Sequence, residues 1–345
     1  MSSARFLRWL SPIAVLAATG SGCLRYQIKV DPPPLGAQAI SLVGDTLWAV
    51  RFSTAEGQER VRLLVDAQRR ARAQPGNDGA QMLLARRTAD IGRFREALDI
   101  YNELVVELAA DPRVRRRRGE LLLLLREPDK AVKELNGATQ LARRRFAVER
   151  EYVEGDNGQL IGTGIAFGSE WLLGVAHYVR GDFPRAVESL SQAVRLAADP
   201  DETVLSAVWL YFALRQSGNA AGAATIARAV PADAAVTTRR AELNLLLALR
   251  GEIPLDSLRR ESRFAPSETS NLYRYGVAVG LLTGGQREAA VQALEDIRLI
   301  GAWGDLAALA AEADLARELA ACPGPLPRLP NERRWDRCRA WRARH

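Results

Sequence analysis

Histidine is almost missing from this chain: His177 and His345 are the only two. That removes the commonest general base and metal ligand from any constellation. Cysteine is nearly as scarce, at Cys23, Cys322 and Cys338, and none sits at the spacing of a zinc or thiol-redox site. There is no Gly-x-Ser-x-Gly, Cys-His or His-Glu-x-x-His arrangement. Gly162-Thr163-Gly164 lacks the Lys-Ser/Thr of a phosphate-cradling loop and follows no convincing strand. Carboxylates such as Glu96, Asp99 and Glu188 stand beside arginines on helix exteriors, where ion pairing accounts for them. His177 falls at a helix-packing position and reads as structural. The expectation is a protein without catalytic residues, cofactor or metal. Apolar runs are short too: none approaches the roughly 20 residues that span a bilayer.

Charge is unevenly spread. The net value is +7. The tail from Arg328 to His345 holds seven arginines against Glu332 and Asp336, and Arg5 and Arg8 open the chain. The body between is close to neutral, so any strongly basic surface belongs to the tail. Arg113, the run Arg115–Arg118 and Arg143–Arg145 suggest nucleic acid at first sight. No aromatic residue interleaves with them, and a solvated helix face is the better expectation.

Residues 1–22 have the form of an export signal: Arg5 and Arg8, an apolar run from Trp9 to Ala18, then Thr19-Gly20-Ser21-Gly22 before Cys23. The Gly-Ser-Gly-Cys end is similar to the lipobox of bacterial lipoproteins, which implies a lipid on Cys23. Gly20 stands where that pattern has leucine, which leaves ordinary signal cleavage and a soluble periplasmic or secreted product as the alternative. With Cys23 lipidated, Cys322 and Cys338 are free either to pair in an oxidising compartment or to remain as thiols. Residues 23–52 then form a linker with Pro32-Pro33-Pro34 and an apolar packing strap, Ser41 to Val50.

What is abundant is a helical repeat. In Gly168–Pro200, Leu173, Gly174 and His177 share a face of one helix, and Gly181-Asp182 breaks it. Ala186, Leu190 and Ala193 stripe a second helix, and Asp199-Pro200 ends the unit. Gly174 and Ala186 are small because two backbones approach there. Degraded copies recur: Leu84 to Pro112, Gly119 to Ala138 (with Glu127-Pro128 for the glycine turn), Leu210 to Ala227, and Ala278 to Leu294. Arg239–Arg250 and Leu255–Ser262 form a shortened pair. Ser53-Thr54-Ala55-Glu56 has capping-box spacing and predicts a preceding helix to about Ala73. The pattern resembles the tetratricopeptide (TPR) repeat. The resemblance implies an all-α, right-handed solenoid of five to six helix pairs over residues 53–320. A C-terminal capping helix is expected at Asp305–Ala320, and residues 321–345 form a basic tail. Residues 146–168 read as a glycine-rich insertion across one face.

In TPR repeats, positions 2, 5, 9, 12 and 13 of each first helix face the concave side. Carried over, these include Met82, Arg86, Arg113, Arg116, Trp171, Tyr178, Phe212, Arg215 and Tyr275, arginines and aromatics of the kind that anchor peptides. The chain also resembles a group of bacterial TPR proteins. They share a Gly-Asp-Thr-Leu-Trp element (here Gly44–Trp48), a long third-repeat insertion and an Ala-Glu-Ala-Asp-Leu-Ala-Arg close (here Ala311–Arg317). The expected function is a non-enzymatic adaptor, lipid-anchored in a bacterial cell envelope and facing the periplasm. It would hold a protein or peptide in its groove and bind no nucleic acid. A module binding envelope glycan or a small molecule, through the groove and the 146–168 insertion, is the alternative.

Overall fold

The computed structural model describes residues 35–50, 54–154 and 160–320. Residues 1–22, expected to be an export signal, and Cys23, Cys322, Cys338 and the basic tail lie outside the described residues. The chain opens with an antiparallel pair of two-residue strands, β1 (Ala39–Ile40) and β2 (Thr46–Leu47). A single helix, α1 (Thr54–Ala73), follows. Six helix pairs come next: α2 (Asp78–Asp90) with α3 (Phe94–Glu107), α4 (Pro112–Leu124) with α5 (Pro128–Arg145), and α6 (Ile165–Val179) with α7 (Phe183–Leu196). Then come α8 (Pro200–Gln216) with α9 (Ala220–Ala229), α10 (Arg240–Leu249) with α11 (Leu255–Glu261), and α12 (Ser267–Thr283) with α13 (Arg287–Ile300). The last helix is α14 (Leu306–Ala320). Successive helices pack on one another, giving an all-α solenoid of TPR-like pairs.

Side chains set the helix limits locally. The Asn77, Asp111 and Asp199 side chains accept the N–H groups of Ala80, Arg113 and Glu202 at 3.0, 2.8 and 2.8 Å, satisfying free donors at the starts of α2, α4 and α8. Pro112, Pro128 and Pro200 stand at the first helical position, where the missing N–H costs nothing. Within a pair, the small residue of the first helix receives the large one of the second. A methyl added at Gly174 would stand 2.5 Å from Leu190 Cγ, and one at Gly119 equally close to Leu135 Cγ. Ala186 is wholly buried.

The turns inside five pairs place Gly92, Gly181, Gly218, Gly251 and Gly285 in the left-handed region, φ 77° to 85°. The turn between α4 and α5 departs from this. There the left-handed residue is Arg126, with φ 64°, one residue before the Glu127-Pro128 that replaces the glycine in sequence. Glycine adopts this conformation freely; an L-residue with a side chain pays roughly 1–2 kcal/mol.

The glycine-rich insertion folds as a β-hairpin, contrary to the expectation that Gly162–Gly164 follows no strand. β3 (Arg150–Glu154) pairs antiparallel with β4 (Leu160–Gly164), Tyr152 opposite Gly162. The bare Gly162 makes room for the Tyr152 ring, which a Cβ there would meet at 2.8 Å.

The ends of the solenoid meet. α14 packs on α12 and α13, as a cap would, and also reaches back to α4 and α6. Every residue from Ala307 to Leu315 is buried, so the helix is covered on all sides rather than along one stripe. Its alanines allow neighbouring helices to approach on each flank. The β1–β2 strap crosses the same region. The Leu42 N–H donates to the Glu312 carboxylate, Arg298 on α13 pairs with Asp45 at 3.0 Å, and Trp303 Nε1 donates to the Trp48 carbonyl at 2.9 Å.

Candidate functional site

The first helices α4, α6, α8 and α12 turn their inner faces toward α14, and this is where the residues expected to line a groove are found. Tyr178, Phe212 and Tyr275 are there and completely buried. They belong to an edge-to-face aromatic array: Tyr178 to Trp209 at 6.0 Å, Trp209 to Phe212 at 5.9 Å, Phe212 to Tyr275 at 5.1 Å. Tyr275 Oη donates to Asp314 Oδ2 of α14 at 2.8 Å and receives the Tyr178 hydroxyl at 2.5 Å. Gln216 Nε2 reaches the same carboxylate oxygen at 3.1 Å, and Arg317 pairs with Asp314 Oδ1. Burial pushes both tyrosines well above their ordinary pKa, with the Asp314 charge adding to it. The occupant of this part of the inner face is therefore the chain's own last helix, held by apolar contact and a satisfied polar network.

The other expected groove residues are dispersed. Trp171 is half-buried against Trp209, ring centroids 6.5 Å apart. Arg215 Nη2 donates to the Thr283 carbonyl at 3.2 Å. Arg113 is bound to Asp111 at 2.6 Å, and the Met82 carbonyl accepts the Tyr101 hydroxyl at 3.3 Å. Arg116 is buried and ion-paired with Glu151 of the hairpin, and burial, reinforced by Arg117, pushes its guanidinium down to about 9. The expected solvated arginine face is thus a set of pairs: Arg115 and Arg118 share Glu134, and Arg117 meets Glu120 and Glu151. The four arginines from Arg115 to Arg118 share three carboxylates, and Arg143 pairs with Glu170 at 2.7 Å.

Arg86 alone of the nine lines the cavity that α14 leaves open. This cavity, of about 330 Å³, lies between the first repeats and the start of α12. Arg60, Arg86 and Arg117 line it together with Asp90, Glu120, Glu268 and Asp305, and Phe94, Tyr101, Leu121 and Leu124 are its apolar lining. Arg60 Nη1 donates to the Asp90 carbonyl at 2.8 Å, and Arg117 pairs with Glu120 at 3.0 Å. Burial pulls Arg86 below its ordinary value. Burial also depresses Arg117, but Glu120 and Tyr101 outweigh it and hold that group above. Asp305 is the strongest anomaly. Burial lifts its carboxyl to about 7, although the Ala308 N–H (2.9 Å) and the Asn271 amide (2.5 Å) both favour the charged form. A perturbed acid in a cavity that arginines also line marks a candidate binding site.

A second recess lies beside the hairpin, lined by Arg150, Tyr152, Leu160, Asp199 and Asp201. Trp171 and Tyr178, the aromatics expected to serve a glycan there, do not line it. Among the described residues no group of histidine, cysteine and carboxylate side chains could hold a metal ion, and no helix is long and apolar enough to cross a membrane.

Sequence reasoning passed over Arg126, Glu312 and Asp314. Their signal was present: an arginine where every other turn has glycine, and two acids in the middle of a helix whose first six residues are all alanine and leucine.

No family model and no curated protein matches the chain. Among solved structures, it is similar to a crystal structure of a Podospora anserina putative kinesin light chain with nearly identical TPR-like repeats. The likeness has 18% identity and a TM-score of 0.39, and covers 66% of this chain and 96% of that one. The helix pairs described above, and not this likeness, carry the fold.

Proposed function

We propose that the protein is a non-enzymatic interaction scaffold of the bacterial cell envelope, tethered by lipid at Cys23. In this reading a short peptide segment of a protein partner enters the cavity between α2, α4 and α12. The carrying observation is the division of the inner face. α14 packs on α4, α6 and α12 and meets α8 at Gln216, while the stretch at Arg86 and Arg117 stays open, lined by charge of both signs and aromatic rings. Such a lining suits a polypeptide segment, which brings carbonyls, amides and side chains of either sign, better than a uniformly charged ligand.

Arg86→Glu tests the seat. The side chain is half-buried at the cavity and outside the core clusters, so the fold is expected to survive. Proteins cross-linked to the wild-type chain in envelope membranes should be lost from the variant; an unchanged set of cross-links refutes the cavity as the seat. The tether is tested separately by Cys23→Ser, which should move the protein from the membrane to the soluble fraction. Unchanged fractionation removes the anchor from the reading.

A further inference from the structure

The strap end of the molecule carries exposed apolar side chains that packing does not explain. Leu35 is fully exposed, Trp48 is 54% exposed, and Leu299 and Ile300 at the end of α13 are 49% exposed each. They lie at one end of the body. A Cβ on Gly36, next to Leu35, would stand 3.8 Å from the Trp48 ring. Leu299 and Ile300 are bracketed by Arg298, which pairs with Asp45 of the strap at 3.0 Å, and by Trp303, which donates to the Trp48 carbonyl at 2.9 Å. Arg95, exposed, donates to the Gln38 carbonyl at 2.6 Å and so stands beside the same strap.

From these placements we infer that this end of the molecule lies against the membrane surface, with Trp48 at the headgroup level. The inference rests on the lipid anchor proposed above. The chain leaves the described body at Leu35, and only the residues 24–34 separate it from Cys23. At roughly 3.3–3.6 Å per residue even a fully extended connection spans about 40 Å, so this end cannot be carried far from the bilayer. An amphipathic ring with a polar N–H and an apolar body suits the interface, and a neighbouring arginine suits phosphate headgroups. Leu35, Leu299 and Ile300 supply further exposed apolar area beside residues that touch the strap.

The test uses the full-length lipidated protein in phosphatidylethanolamine–phosphatidylglycerol vesicles whose acyl chains are brominated near the headgroup. Bromine should quench part of the tryptophan emission, and that part should be lost in Trp48→Phe. The backbone carbonyl that holds Trp303 is kept in this variant, so an unchanged melting temperature verifies the fold. Leu299→Ser combined with Ile300→Ser should reduce quenching of the same component. Protein that floats with the vesicles but shows equal quenching in wild type and Trp48→Phe overturns this inference and leaves the anchor standing. Protein that fails to float overturns both.

Discussion

Arg126 and Glu312, 186 residues apart, meet with Nη2 and Oε2 2.8 Å apart in the interior, the arginine side chain only 2% exposed. The guanidinium also donates to the Leu124 and Trp303 carbonyls at 2.6 and 3.2 Å and lies over the Trp303 ring at 5.0 Å. Glu312 in turn accepts the Leu42 N–H, so the α4–α5 turn, the strap and α14 converge on one ion pair. Glu312→Gln should cost about 3–5 kcal/mol, because it leaves a buried cation without its counter-charge. Arg126→Gly relieves roughly 1–2 kcal/mol of backbone strain, yet should still destabilise, since the lost pair outweighs it. Removing both charges should cost less than the sum of the single changes. Denaturant midpoints with unchanged slopes are the measurement.

Two tyrosines on the inner face should differ in their worth. Tyr275 Oη bonds Asp314 at 2.8 Å, whereas Tyr178 Oη stands 3.4 Å from the same oxygen. Tyr275→Phe removes the bond to the carboxylate and the acceptor for Tyr178, and should cost about 1–3 kcal/mol. Tyr178→Phe should cost less. Thermal melts of the two variants rank them, and a reversed order would discard the assigned donor chain.

The pH dependence has a definite sign. The Asp305 carboxyl is raised from 3.8 to about 7, so the folded state retains a proton that the unfolded chain has released. Its contribution to stability is therefore full below about pH 4, declines through pH 4 to 7, and is flat above. Asp305→Asn should flatten that decline relative to wild type while keeping a side-chain oxygen for the Ala308 N–H. Unfolding free energies at pH 5 and pH 8 decide it; identical differences in both proteins would remove Asp305 as the cause.

Ala186→Leu probes the repeat register. Ala186 has no exposed surface, and its helix packs on α6, where Leu190 already meets Gly174. Overpacking should cost roughly 1–3 kcal/mol. Wild-type melting in this variant would mean that the two helices meet elsewhere.

The pairs were legible because their causes are local. Gly174, Ala186 and Pro200 each mark a close approach or a chain end within one repeat, and such spacings survive in a bare sequence. The hairpin was hidden because Leu160 to Gly164 has three bulky or branched residues among two glycines, which reads as loop until Tyr152 is seen lying over Gly162. The course of α14 was hidden for another reason. An alanine-rich helix covered on one side or on every side has nearly the same composition, and the acids that settle the matter find partners at Arg126, Tyr178 and Tyr275, far off in the chain. Hence Tyr178, Phe212 and Tyr275, expected to face a partner, are buried beside α14, an occupant that was not foreseen.

Contacts such as that of Leu42 with Glu312, 270 residues apart, change how the molecule should come apart. An open row of repeats can fray from either tip, each unit released at the cost of a single neighbour interface. Here, among the described residues, the first strands and the last helix hold each other, and α4, α6, α12 and α13 pack on that helix. Loss of any one unit breaks the knot that secures the rest, so denaturation should proceed in one cooperative step. Refolding should be slow in proportion, because the chain must bring its two extremities together before the interior can be sealed.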